Sequence, residues 1–347
     1  YWITVQPRFH DLVLATYGRG FWILDDVTPL EEWTPDALSS DACLFAPRDA
    51  YRFRSVSEPA AVSYDPTAGH NPPFGVVINY YLKSPAEGDV KIAIQDASGK
   101  TVRTFDGKKD AGINRVWWDL KFEPSKAIHL RTSPLYAPEV TVGPEGWRPA
   151  PGVDPISLLA PPGTYTVKLI VNGHEYAQEL NVLKDPHSTG TVADIQAQDR
   201  LMMVIRDEMD TMANTVNQIE SVRAQLADFE NQLGDDQNSK VLRSSADELS
   251  NKLVDLEGHM LQLKTTGRGQ DDVRWESMLV EKINYLGQGV SDSDFAPTAQ
   301  QIAVNDQLKK EVDQYRSETE QLMSKDVTAF NSMLRGRGIQ NIIVKTP

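Results

Sequence analysis

One cysteine, Cys43, stands in 347 residues, so the chain has no internal disulfide and no thiolate-rich metal site. Long apolar runs are also missing; the longest fall far short of the roughly 20 residues that a membrane span requires. Basic residues are outnumbered, 35 Lys and Arg against 49 Asp and Glu. The resulting formal net charge of −14 argues against general nucleic-acid binding, which needs a basic face to release counterions from phosphates. No Gly-rich phosphate loop, His-Glu-x-x-His or Gly-x-Ser-x-Gly elbow is present. The six histidines are scattered with no pair at metal-ligand spacing, and no cofactor is implied.

What the chain does have is organised in three regions. Residues 1–60 mix short apolar runs, "YWITV", "LVLAT" and "FWIL", with proline and acidic residues. The stretch "DLVLATYGRGFWILDD" reads as two strands, 11–16 and 21–24, joined by a Gly-rich turn. A lone hairpin is marginal in water, so its sheet is expected to be completed elsewhere. The opening "YWITV" reads as a strand with no charged and apolar leader before it, and is expected to be a cut end.

Residues 61–186 alternate apolar and polar over six or seven runs, with turn signals about every ten residues. "VKIAIQD", "GTYTVKLIV" and "HEYAQELNV" are the clearest, the last two flanking Asn172-Gly173, a strong hairpin signal. This pattern predicts an antiparallel immunoglobulin- or fibronectin-like β-sandwich, interrupted near 124–162 by a Pro/Gly-rich insertion expected to pack over a neighbour. From 187 to 337 the period changes to helical. A stripe from Leu201 to Leu233 predicts one helix of about forty residues, ended by Gly234-Asp235-Asp236. A second is expected over 240–263, a third from Asp271 to Leu286 with Gly287 and Gly289 as its stop, and a fourth over 298–334. Short links between such helices predict an up-and-down antiparallel bundle of four. Residues 338–347 could add a short strand.

Few residues offer chemistry. Asp25 and Asp26 are a carboxylate pair, but neighbours on a strand point to opposite faces and would not flank one glycosidic bond. A strand-end pair, with one member tied to Arg19 or to backbone N–H groups, is the simpler expectation. Trp117 and Trp118 adjoin on a strand, so one should face the core and the other outward. Trp147 lies in the insertion.

"DLVLATYGRGFWILDD" closely resembles the last propeller blade of bacterial sortilin-like or BNR-repeat β-propeller proteins, often labelled glycosyl hydrolase or sialidase-like. The elements that carry the resemblance are Asp11-Leu12-Val13, Thr16, Gly18-Arg19-Gly20 and Phe21 to Asp26, and it continues through "NPPFGVVINYYL", "GINRVWWDL", "LAPPGTYTVKL" and "APTAQQ". It implies that residues 1–60 are the end of a β-propeller and its linker, that the other blades and any Ser-x-Asp-x-Gly-x-x-Trp repeats lie upstream, and that the protein is exported to the periplasm or cell exterior. The expected partner is that upstream propeller, in the same polypeptide or on a separate chain, with a protein or glycan ligand beside it.

The leading expectation is therefore a non-catalytic C-terminal region for assembly or partner binding. One alternative is a glycoside hydrolase whose site is shared with an upstream propeller, with Asp25, Asp26 or Trp147 near the cleft. Another is a carbohydrate-binding module that stacks sugars on Trp117, Trp118 or Trp147.

Overall fold

The computed structural model describes residues 1–54 and 69–344. It is a mixed β and α structure with several sheets and a run of helices, divided into two compact units: Tyr1–Glu123 with Leu158–Val192, and Pro124–Ser157 with Ala193–Pro347. The boundary expected between 60 and 61 lies outside the described residues. Residues 124–157, the greater part of the insertion, group with the helices rather than with the strands on either side of them.

The first unit opens with a three-stranded antiparallel sheet of β1 (Trp2–Gln6), β2 (Asp11–Ala15) and β3 (Phe21–Leu24), in that spatial order. The β2–β3 turn is closed by Thr16, whose N–H and Oγ1 both donate to the Gly20 carbonyl at 3.1 and 2.8 Å. Gly18 and Gly20 take φ of 78° and 71°, which explains the Gly-x-Gly spacing: a side chain at either position would be strained. Two single-turn helices, α1 (Thr28–Glu31) and α2 (Pro35–Ser39), then lead to β4 (Ala42–Leu44) and β5 (Ala50–Arg52).

The remaining strands of this unit are β6 (Val76–Leu82), β7 (Val90–Gln95), β8 (Thr101–Asp106), β9 (Gly112–Trp118), and, after the insertion and its two short strands β10 (His129–Leu130) and β11 (Arg148–Pro149), β12 (Gly163–Val171) and β13 (His174–Lys184). They form a β4-β6-β9 sheet and a β5-β13-β12-β7-β8 sheet, antiparallel throughout except where β5 runs parallel to β13. Alternation decides what is inside: Tyr165, Val167, Leu169 and Val171 of β12 are buried, and Val167 and Leu169 pair with buried Ile94 and Ile92 of β7. Asn172 (φ 50°) and Gly173 (φ 80°) turn β12 into β13 with both central residues left-handed, the geometry expected of an Asn-Gly hairpin. Trp118 is buried, its ring edge-on to Tyr165 at 5.6 Å and its Nε1 donating to the Lys121 carbonyl at 2.8 Å.

The second unit is dominated by α3 (Val192–Gln232), 41 residues long, with α4 (Gln237–Met260), the short α5 (Asp271–Arg274), α6 (Leu279–Ser291), α7 (Ala299–Leu322) and α8 (Thr328–Arg335). Caps set the starts. Asp236 accepts from the N–H groups of Asn238 and Ser239, and Thr298 and Gln301 form a reciprocal capping box. The fourth expected helix is interrupted by a π-helical turn, Met323–Val327.

Gly287 and Gly289 lie inside α6 rather than ending it. At Gly287 the helix approaches its neighbours so closely that a Cβ would sit 3.0 Å from Ile156 and 3.3 Å from Ile205. The insertion is held along one stripe of α3: the N–H of Lys126 donates to Asp210, that of His129 to Asn217, and those of Arg131 and Thr132 to Glu220. Residues 338–344 add no strand. Asn331 and Gln225 instead clasp the backbone of Ile342 and Ile343, each side-chain amide both donating and accepting, while 345–347 lie outside the described residues.

Candidate functional site

The stretch that begins at Asp11 ends in a buried polar cluster rather than an open pair of acids. β3 stops at Leu24, and Asp26 turns back with φ 54°, so Asp25 and Asp26 follow the strand instead of alternating across it. The Asp26 carboxylate is buried and takes hydrogen bonds from Asn79 Nδ2 at 2.7 Å and Thr28 Oγ1 at 2.6 Å, with Arg48 Nε at 3.5 Å. Asp11 Oδ1 accepts from the Asp26 N–H at 2.9 Å and from Arg48 at 3.1 Å. Arg115 on β9 closes the cluster, donating to the carbonyls of Asp25 and Asp26 at 2.8 and 2.7 Å and to Asn79 Oδ1 at 2.9 Å.

Each carboxylate of the cluster thus has a cation or a hydrogen-bond donor beside it, and the Arg115 guanidinium is met by three acceptor oxygens, the condition for a buried ionic group to be tolerated. The cluster fastens the end of β3 to β6 and β9. Of the two ties expected for these acids, a backbone N–H is present, that of Thr28 donating to Asp26 Oδ1 at 3.3 Å, whereas Arg19 is exposed at the turn and bonds to neither; Arg48, Asn79 and Arg115 complete the cluster. Nothing in the local sequence marks Arg115 or Asn79 for this role, because the contacts join positions 53 and about 90 residues apart.

The sheet so fastened is bare. Phe21, Trp22, Ile23 and Leu24 are 77%, 64%, 61% and 50% exposed, although their side chains point alternately to both faces of β3. Tyr1, Trp2 and Ile3 on and beside β1 are also exposed. A continuous apolar run of this kind is the signature of a strand covered on both faces. The outer edges of β1 and β3 have no strand beside them among the described residues, which leaves two rows of backbone groups open to pairing.

The tryptophans divide. Trp118 is in the core and unable to stack a sugar, which removes it from the candidate ligand surface. Trp117 is half-buried, with a buried indole N–H that has no hydrogen-bond partner. Trp147 belongs to the second unit, where it stacks on His129 at 3.8 Å, so one of its faces is already occupied.

That unit also holds a cleft of about 980 Å³ whose lining includes Trp275, Lys282, Tyr285, Gln288, Val304 and Glu311. The more enclosed polar groups there serve the fold: Glu281 accepts from the N–H groups of Gln262 and Met278, and Asn284 donates to the Gly152 carbonyl. Deeper in the same unit, Glu220 and Glu257 share the guanidinium of Arg223, each at 2.6 Å. Burial, with Glu220 beside it, pushes the Glu257 carboxyl well above the usual range. Among the described residues no helix is long and apolar enough to cross a membrane, and no cluster of His, Cys, Asp or Glu could hold a metal. Comparison with known proteins adds no relative: no protein-family model matches the chain, and no significant match was found among curated proteins or solved structures.

Proposed function

We propose that this chain is the non-catalytic C-terminal structural and interaction region of a large exported sortilin-like β-propeller protein, in which β1, β2 and β3 belong to a propeller blade. The observation that carries the reading is the β3 run "FWIL", apolar on both faces and exposed on both. Covering each large side chain is worth about 1.5–3 kcal/mol, so neighbouring blades would find a ready contact surface here. In this reading the two larger sheets of the first unit pack as an immunoglobulin-like sandwich, and the long helices of the second as an antiparallel bundle. The closed cluster around Asp26 supports a structural rather than a hydrolytic role for Asp26, since its carboxylate oxygens are already engaged.

The test is to compare acrylamide quenching and backbone hydrogen exchange of residues 1–26 in this chain and in the longest form of the protein isolated from its source. Protection of Trp2 and Trp22 confined to the longer form is expected. Equal exposure in the two would overturn the proposal. Hydrolysis of a glycoside by the chain itself, abolished by Asp26→Asn, would do the same.

A further inference from the structure

Independently of that reading, a second buried carboxylate stands in a quite different condition from Asp26. Glu208 of α3 is 5% exposed and its neighbour Asn305 of α7 is 3% exposed. Asn305 Nδ2 donates to Glu208 Oε1 at 3.2 Å, yet Glu208 Oε2 and Asn305 Oδ1 are both buried with no hydrogen-bond partner. Two acceptor oxygens left over beside one existing hydrogen bond lack a donor, and the cost of leaving such atoms unpaired in the interior is substantial. A single proton on Oε2 would supply that donor. It would turn the contact into an acid–amide pair with two parallel hydrogen bonds, N–H to Oε1 and O–H to Oδ1.

We propose that Glu208 takes up a proton on Oε2 in the folded chain and, with Asn305, forms a proton-dependent clasp between α3 and α7. The ionisable groups acting on Glu208 from the facing helix are mixed: Lys309 favours the carboxylate, while Asp306 and Asp313 oppose it. Burial is the largest influence and pushes the carboxyl up to about 7. The sign follows directly. The native state holds the proton more tightly than the unfolded chain, whose carboxyl titrates near the ordinary 4.5, so stability is greatest at low pH within this window and falls as pH rises from about 4.5 through 7. The clasp therefore weakens on the alkaline side, where a bare carboxylate faces Asn305 Oδ1.

The experiment compares urea unfolding of the chain and of Glu208→Gln from pH 5 to pH 8. Glutamine keeps the shape, stays neutral, and can form both hydrogen bonds with Asn305. The unfolding constant of the wild type is expected to rise relative to the variant by on the order of 50–100-fold across that range, and the two should be similar near pH 5. Hydrogen exchange over residues 299–312 should lose protection at pH 8 in the wild type and keep it in Glu208→Gln. A direct carbon-13 titration of the Glu208 carboxyl should give a midpoint near 7. A midpoint below 5, parallel pH profiles for the two proteins, or failure of the neutral variant to fold at pH 5 would each overturn the clasp.

Discussion

The β1–β3 sheet and the five-stranded sheet of β12 and its neighbours are antiparallel along nearly all their ladders and draw on the same residue types, but they treat their apolar side chains in opposite ways. Along β12 one face is apolar and buried, and the other carries Thr166 and Lys168. Along β3 four large apolar residues follow each other and none is covered. A strand with one apolar face needs one neighbouring layer; a strand with two needs layers on both sides. The difference teaches that local strand propensity sets the backbone, while the count of apolar faces states how many partners the sheet expects.

The largest expected effect tests the covered side of this comparison. Trp118→Ala removes a buried ring packed on Tyr165 and the N–H bond to Lys121, and should destabilise the first unit by about 3–5 kcal/mol. Urea unfolding followed by the near-ultraviolet signal measures it; a loss under about 1 kcal/mol would show that the ring does not hold the core.

Next comes the join between the two kinds of sheet. Arg115→Met strips donors from Asn79 and from the carbonyls of Asp25 and Asp26, at a cost of about 2–4 kcal/mol if the cluster stays closed. The more telling readout is local. Residues 11–27 should become sites of limited proteolysis while β6, β7 and β12 keep their hydrogen-exchange protection; equal loosening of all strands would mean that Arg115 supports the core rather than the attachment of the small sheet.

How far these features were legible in the sequence depended on range. The Asn172-Gly173 hairpin and the 41-residue α3 could be read because a turn and a helical stripe are local patterns. The grouping of 124–157 with the helices could not, since it rests on single acceptors, Asp210, Asn217 and Glu220, three to seven residues apart on a helix face that otherwise looks merely polar. Gly287 misled for a similar reason: a glycine in a helical run signals a stop unless a neighbouring side chain occupies the space of its Cβ, and Ile156 is 131 residues away in sequence. Of the candidate site, Asp25 and Asp26 were visible as residues. Their partners were not, because Arg48, Asn79 and Arg115 reach them only through the tertiary fold.

A smaller effect sharpens the comparison at the turns. Gly173→Ala places a Cβ at φ 80° in the hairpin of the covered sheet and should cost about 1–2 kcal/mol, although nothing lies within 4 Å of the new atom. The penalty is conformational, so Gly173→Asn should recover part of it. Identical losses for the two variants would point instead to a packing role for Gly173.

The smallest expected effect is the most diagnostic for the small sheet. Trp22 is 64% exposed, so Trp22→Ser removes little that is buried in the chain itself and should change its stability by no more than about 0.5 kcal/mol. The same substitution should weaken any contact that covers β3, where a large aromatic ring would be among the strongest contributors. Stability by urea unfolding and self-association by sedimentation therefore need to be measured together. Unchanged stability with reduced association marks Trp22 as a contact residue awaiting a cover, whereas a loss of several kcal/mol in the isolated chain would place β3 inside a layer that already exists and erase the contrast with β12.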